Sequence, residues 1–361
     1  MSAHPIVHDW RTCVAQQLLP NLHGHQANAL ADFSYAAALA GHCQAGRLAP
    51  CVPTDAAPAS SRRRFERLLD NPRLQPRLAQ RALARALLQH WDGCTLLLLL
   101  DETPKANDLR VLSVRAGYGR RAVPLAAVCY RPHALPRPLP ALVRGLLRQV
   151  RGCLPQRARV VLLADRGLCW PLLADWCAAH GRHYVLRLQG QTKVRFPDGT
   201  ERAARDLAPR PGRRWLGEAA VFKKAGWRGA NVVATWQRGR QEPWLLLTDQ
   251  RASLRHCRTY GKRMWQEESF RDDKSAGFHW EESRVNDPSR AARLLLVLAL
   301  ALVLATSQGS AVLKGGSRRR LDPHRRRRLS VVQLGLRWLR YAVQHDLHHL
   351  LHLGRLYLYP K

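Results

Sequence analysis

The sequence predicts a mixed α/β fold with helical N- and C-terminal parts, on three observations. Two short apolar runs, Leu96–Leu100 and Arg159–Ala164, each lead into an aspartate, Asp101 and Asp165. Runs of that length are too short for a helix and suit buried central strands. Between them strand-like and helix-like spacings alternate, and from Leu254 onward the spacing is helical.

The elements follow in order. Residues 1–50 alternate small apolar and polar side chains at helical spacing, until CVPTDAAPASS at Cys51–Ser61 interrupts them as a linker or sharp turn. Ser60 and Ser61 are placed to cap a basic amphipathic helix in which Arg62, Arg63, Arg64 and Arg67 alternate with Phe65, Leu68 and Leu69. Its arginines form either a solvated face or a DNA contact. After the first apolar run, Val111–Ala116 and Ala122–Tyr130 read as strands joined by a turn at Gly117–Gly119. A Pro-rich bridge, RPHALPRPLP, leads to a helix near Ala141–Gly152; the second apolar run, a helix over Pro171–His180 and a strand at Tyr184–Leu188 follow. Three strands, helix, strand, helix, strand is the order of a mixed sheet with helices on its faces, as in the ribonuclease H arrangement.

Between Gly190 and Asp249 helical spacing disappears, and the short runs Val232–Trp236 and Trp244–Leu247 point to a β-rich insertion. Leu254–Lys274 reads as one long helix, Ser289–Thr306 as a very apolar one, and Leu329–Leu353 as at least one more. The expected division is a helical part over 1–90, a ribonuclease H-like core over 91–189, the insertion over 190–250, core helices over 251–310 and a basic helical tail over 311–361.

Charge narrows the partners. Fifty-nine Lys and Arg against 26 Asp and Glu leave a formal charge of +33 on 361 residues. Such an excess repels itself unless a polyanion binds, which makes nucleic acid the expected partner. A bias toward Arg from a GC-rich genome and a membrane-surface protein are the competing explanations. Nine cysteines without a CxxC pair or a close Cys/His quartet read as reduced core residues of a cytosolic protein. MSAHPIVHDW lacks the pattern of a signal peptide, and the apolar stretch Leu294–Ala305 falls short of the roughly 20 residues that span a bilayer. A buried helix and no membrane partner are expected.

Acids at the ends of neighbouring strands converge, and hard cations such as Mg²⁺ take carboxylate oxygens. A pair of ions about 3.5–4 Å apart activates an attacking oxygen and stabilises a leaving one. Two such aspartates alone are weak grounds, because caps and turns also favour Asp. Tyr260, Arg263, Glu267 and Lys274 lie 0, 3, 7 and 14 positions along the helix expected over 254–274. On a regular helix they fall within roughly a 60° arc, a face suited to a phosphodiester. The competing reading is an exposed helix with short-range charge pairs.

The spacing Tyr260-x2-Arg263-x3-Glu267-x6-Lys274, within YGKRMWQEESFRDDK, resembles the Y-R-E-K signature of cut-and-paste DDE transposases of bacterial insertion sequences. Asp101 in LLLLLDET and Asp165 in VVLLADRGL resemble that family's first and second catalytic aspartates, and the resemblance covers about residues 60–345. It implies a ribonuclease H-like core in which Asp101, Asp165 and Glu267 hold two Mg²⁺ or Mn²⁺ ions. It implies double-stranded DNA as partner, as element ends and as target, a homodimer on DNA, and a cytoplasmic, nucleoid-associated bacterial protein. Tyr260, Arg263 and Lys274 then contact DNA, and Trp244, opening WLLLTD, receives a base flipped from the end duplex; Trp236 competes for that role. Asp101 is taken by motif over its neighbour Glu102, which an extended chain turns to the opposite face. Arg325, Arg326, Arg327 and Arg328 are expected to track phosphates. His345, His349 and His352 are expected to share one face of a plain amphipathic helix. Two other classes stay open: an inactive or domesticated transposase that only binds DNA, and a ribonuclease H-like nuclease without strand transfer.

Overall fold

A computed structural model describes residues 5–105 and 108–360. Residues 1–4, at the start of the expected helical part, and Lys361, at the end of the basic tail, lie outside the described residues. In chain order, helices α1 (Pro5–Thr12), α2 (Gly24–Ala40), α3 (Ala45–Leu48), α4 (Pro58–Asp70) and α5 (Pro76–Leu88) come first. Strands β1 (Thr95–Lys105), β2 (Leu109–Tyr118) and β3 (Arg121–Tyr130) lead to α6 (Leu139–Arg151), β4 (Arg159–Ala164), α7 (Pro171–Ala179) and β5 (His183–Arg187). Next come β6 (Lys193–Arg195), β7 (Glu201–Ala203), β8 (Arg214–Val221), β9 (Arg228–Thr235) and β10 (Trp244–Thr248). The last helices are α8 (Arg255–Gly261), α9 (Met264–Arg271), α10 (Pro288–Lys314) and α11 (Val331–Gln344). The chain is mixed α/β, and the expected order β1-β2-β3-α6-β4-α7-β5 is consistent with a ribonuclease H-like core. Two compact units divide it: Met1–Asp92, Glu102–Gln156 and Trp265–Lys361 form the larger, Gly93–Asp101 and Arg157–Met264 the smaller.

In the smaller unit the strands are hydrogen-bonded in the order β1-β4-β5-β10-β9-β8-β6-β7. β1 and β4 are parallel with Leu100 opposite Ala164, and β4 and β5 are parallel with Ala164 opposite Leu186. Leu96–Leu100 and Val160–Ala164 are buried, as near-continuous apolar reading requires of strands covered on both faces. β10 pairs antiparallel with β5 and with β9, so the β-rich stretch continues the sheet of β4 and β5. That pairing satisfies the edge of β5, which would otherwise expose a row of peptide groups. Helix α8 packs on β5 and β10.

In the larger unit β2 and β3 form a hairpin whose turn is Gly119–Arg120, with φ of +57° and +67°. α10 is 27 residues long, so by length and composition it passes for a membrane span, and the expectation that the apolar stretch is too short fails. It is nonetheless 89% buried over its most apolar window, packed by α2, α4, α5, α11 and β3.

Several local expectations are corrected. α4 begins at Pro58, whose fixed φ suits the first helical turn, so Ser60 and Ser61 lie inside the helix and do not cap it. The single helix expected over 254–274 does not form. α8 stops at Gly261, where the N–H of Lys262 bonds back to Thr259 and that of Arg263 to Tyr260, three residues behind, in place of the α-helical ladder. α9 then starts at Met264, and Asp272–Ala276 is a π-helical segment, so one regular face from Tyr260 to Lys274 is absent. α11 ends at Gln344, which removes His345, His349 and His352 from a shared helix.

The π segment is anchored to the hairpin. Arg121 Nε donates to Asp272 at 2.6 Å and Arg115 Nη2 to Asp273 at 2.5 Å. Burial pushes the Asp272 carboxyl up to about 6, against the pull of Arg121 and with help from Asp273 and Glu268. The native state therefore holds a proton that the unfolded chain releases near its ordinary 3.8. The associated stability is complete below that value and is lost as pH rises through about 6. Urea unfolding across this window should show a decline with pH that Asp272→Asn flattens; an unchanged slope would mean that another group sets it.

Candidate active site

The parallel register carries three side chains to one edge. One residue beyond the row Leu100–Ala164–Leu186 stand Asp101, Asp165 and Arg187: Asp165 follows β4 directly and Arg187 closes β5, whereas β1 runs on to Lys105, so Asp101 does not end its strand as expected but stands within it, where its pairing with β4 stops. Neighbouring strands lie about 4.8 Å apart, so the row is contiguous. The carboxyl ends of parallel strands are where open α/β sheets bind ligands.

Helix α8 and its closing turn hold the two acids. Tyr260 Oη donates to Asp165 Oδ1 at 3.1 Å, and Arg263 Nη1 donates to Asp101 Oδ2 at 2.9 Å. Tyr260 and Arg263 are 3% and 7% exposed, while the Asp101 side chain retains 16%. The Arg263 guanidinium sits 5.8 Å from the centre of the Tyr260 ring, and the half-buried Trp244 meets that ring edge-on at 5.4 Å and 80°. The break at Gly261 thus carries Arg263 to Asp101 while Tyr260 reaches Asp165.

The electrostatics keep Asp165 ionised. Burial alone raises its carboxyl; the Arg166 N–H, the Arg263 charge, the Tyr260 hydroxyl and the Arg187 charge outweigh it and hold the group below its ordinary value. Burial raises the Tyr260 phenol, against Arg263 and with Asp165 adding to the rise, so it stays protonated and remains a donor. Asp101 and Asp165 offer only oxygen donors, a set that fits a hard divalent cation. Glu102 is engaged elsewhere, 3.7 Å from Arg110.

The smaller unit gathers Asp101, Asp165, Trp244, Tyr260 and Arg263. The remaining expected residues belong to the larger unit. Glu267 lies in the first turn of α9, half-buried. That helix is pinned to the hairpin by Gln266 Nε2 on Ser113 Oγ at 3.1 Å and by the Ala122 N–H on Ser269 Oγ at 2.6 Å. Lys274 pairs with Glu281 at 3.1 Å. On α4, Arg62 pairs with Glu66 at 3.2 Å and Arg63 is exposed, whereas Arg64 pairs with the buried Asp32 and lies 5.2 Å from the centre of the Phe33 ring. Arg325, Arg326 and Arg328 are exposed and Arg327 is half-buried, in a loop shaped by the N–H groups of Arg328 and Leu329 donating to Asp322 Oδ2.

Among the described residues the His, Cys, Asp and Glu group close enough to hold a metal is His42, His279 and Glu282, away from the tail histidines. His42 Nδ1 accepts from the Gln44 N–H at 3.0 Å, which leaves the proton of a neutral ring on Nε2, 3.2 Å from Glu282. That nitrogen is a donor to the carboxylate, and the trio is a hydrogen-bonded clip between α2 and the segment after α9.

Sequence reasoning missed three residues. Arg187 ends β5 after a short apolar run, as Asp101 and Asp165 follow theirs, a signal present in HYVLR. Arg166 follows Asp165 directly, and Glu242, in the β9–β10 connection, joins both arginines. Nothing in the spacing brings Glu242 there.

The mixed sheet thus sets two aspartates side by side where the parallel pairing of β1 and β4 ends, a pair of carboxylates of the kind that hard cations take. Residues 137–304, just under half of the chain, match the family model described as Transposase DDE domain, and this match supports a DDE-type transposase. The matched range contains Asp165, Tyr260, Arg263 and Glu267, whereas Asp101 precedes it. No curated protein matches the chain.

Proposed function

We propose that this chain is the transposase of a bacterial insertion sequence of the Y-R-E-K type, which excises the element by cutting DNA at its ends and joins the freed 3′ hydroxyls to target DNA. The observation that carries the reading is the side-by-side placement of Asp101 and Asp165 where the parallel pairing of β1 and β4 ends, each held by a residue of the signature. The Transposase DDE domain match and the charge of +33 support it independently.

Asp101, Asp165 and Glu267 are the carboxylates that would hold two Mg²⁺ or Mn²⁺ ions, which when bound supply a activated attacking oxygen and neutralise charge at the leaving one. Arg263 orients Asp101 and Tyr260 orients Asp165 through the hydrogen bonds described above. Lys274, Arg62, Arg63, Arg64 and Arg325–Arg328 are assigned to the DNA backbone; Arg64 and Lys274 must then exchange Asp32 and Glu281 for phosphate. Trp244 is assigned to a base flipped from the end duplex, where stacking contributes roughly 1–3 kcal/mol. A homodimer on DNA brings two ends together in the nucleoid of a bacterial cytoplasm, and a hairpin at the element end is the expected intermediate.

The test is a reaction on a plasmid carrying the native element, with Mg²⁺ and with chelator. Excised and rejoined DNA only with Mg²⁺ supports the proposal. Nicked but unjoined DNA points to a plain nuclease, duplex binding that no metal converts into cleavage points to a domesticated DNA-binding protein, and open double-strand ends alone exclude the hairpin.

A further inference from the structure

The arginines beside Asp165 are held by a carboxylate that the reading above leaves without a role. Arg166 Nη1 and Nη2 donate to the two oxygens of Glu242 at 3.1 and 2.8 Å, a bidentate fork, and Arg187 Nη2 donates to Oε1 at 2.5 Å. Arg187 is the third member of the row Asp101–Asp165–Arg187, and its side chain is only 12% exposed. Two guanidinium groups aimed at one point suit a carboxylate or a phosphate, since each presents two anionic oxygens that accept the planar guanidinium fork in charge-assisted hydrogen bonds. Glu242 reaches this point from the connection 236–243, with its own side chain 48% exposed. The Arg166–Glu242 pair, half exposed on both sides, is of the kind that adds little to stability, so an incoming anion displaces Glu242 from it readily.

We propose that Arg166 and Arg187 form a seat for a DNA backbone phosphate beside Asp165, and that Glu242 fills this seat in the DNA-free protein and is displaced when DNA enters. The proposal rests on the reading of DNA as substrate and adds to it a phosphate contact and a built-in competitor. The connection 236–243 is then a latch: it keeps the two arginines aligned next to the acid and yields them to a polyanion. The exchange breaks no covalent bond; Glu242 passes to water as the phosphate takes its hydrogen bonds.

The test is a binding series with a short labelled duplex of fixed random sequence, without divalent metal, at several salt concentrations. Glu242→Gln should bind about fivefold tighter than wild type at low salt, the size expected for freeing an exposed ion pair with two partners. Glu218→Gln, the same charge change on exposed β8, controls for net charge and should move affinity by less than about twofold. The decisive readout is coupling: in an Arg187→Ala or an Arg166→Ala background the gain from Glu242→Gln should vanish. Arg166 is half exposed, so its substitution leaves the fold a second route to the same answer if Arg187→Ala does not fold. A gain equal to that of Glu218→Gln, or one that persists without either arginine, overturns the latch while leaving the DNA substrate in place. A wild-type protein that binds no duplex overturns both.

Discussion

Asp165→Asn is expected to lower DNA cleavage by about 10³-fold, the size typical of removing one charge-stabilising group from a phosphoryl or acyl transfer site. The amide keeps the shape of the carboxyl and an oxygen to accept from Tyr260, now 3.1 Å from Asp165 Oδ1, but it loses the charge that a divalent cation needs. The same change removes a negative charge among Arg166, Arg187 and Arg263, so duplex affinity should hold or rise. Glu267→Gln should reproduce the loss of cleavage with binding intact. Cleavage and binding measured on the same preparations decide the matter. A variant that keeps more than about a tenth of wild-type cleavage, where a tenfold change is about 1.4 kcal/mol, would remove that acid from the site.

Gly335→Ala is expected to destabilise the larger unit by about 3 kcal/mol, at the upper end of overpacking substitutions. α10 and α11 cross where Gly309 and Gly335 face each other's backbones. A methyl group on Gly335 would lie 1.7 Å from the Ala305 carbonyl oxygen, and one on Gly309 would lie 1.8 Å from that of Val331. Both obstacles are main chain, so no rotamer change relieves them and the helices must separate along a buried seam. Gly145→Ala, in α6, meets nothing within 4 Å and should stabilise by about 0.5–1 kcal/mol through helix propensity. Urea midpoints of the three proteins make the comparison; equal midpoints for Gly335→Ala and wild type would show that the crossing relaxes freely.

The two predictions draw on different depths of the sequence. Asp101 and Asp165 were legible because runs such as LLLLLD and VVLLAD mark buried strands that lead into an acid, and because both then fall in blocks that resemble one family's motifs. The Gly309–Gly335 contact was not legible, since each glycine lies in a helical pattern and their meeting depends on how α10 crosses α11. The same limit applied to the signature. Its spacing on an ideal helix implied one face, whereas the chain tightens after Gly261 and sends Tyr260 and Arg263 to two different aspartates.

By itself the sequence determined the strand and helix order through Leu188, the buried character of α10, the excess positive charge and the two acids that follow apolar runs. These are properties of local periodicity and composition, which the chain carries wherever it folds. Tertiary structure alone decided that β10 lies beside β5, that Arg187 completes the row of Asp101 and Asp165, and that Glu242 closes on Arg166 and Arg187. Those facts depend on register and on the path of a connection between strands. Hydrogen-bond pairing and ion-pair geometry set both, and neither leaves a period in the sequence.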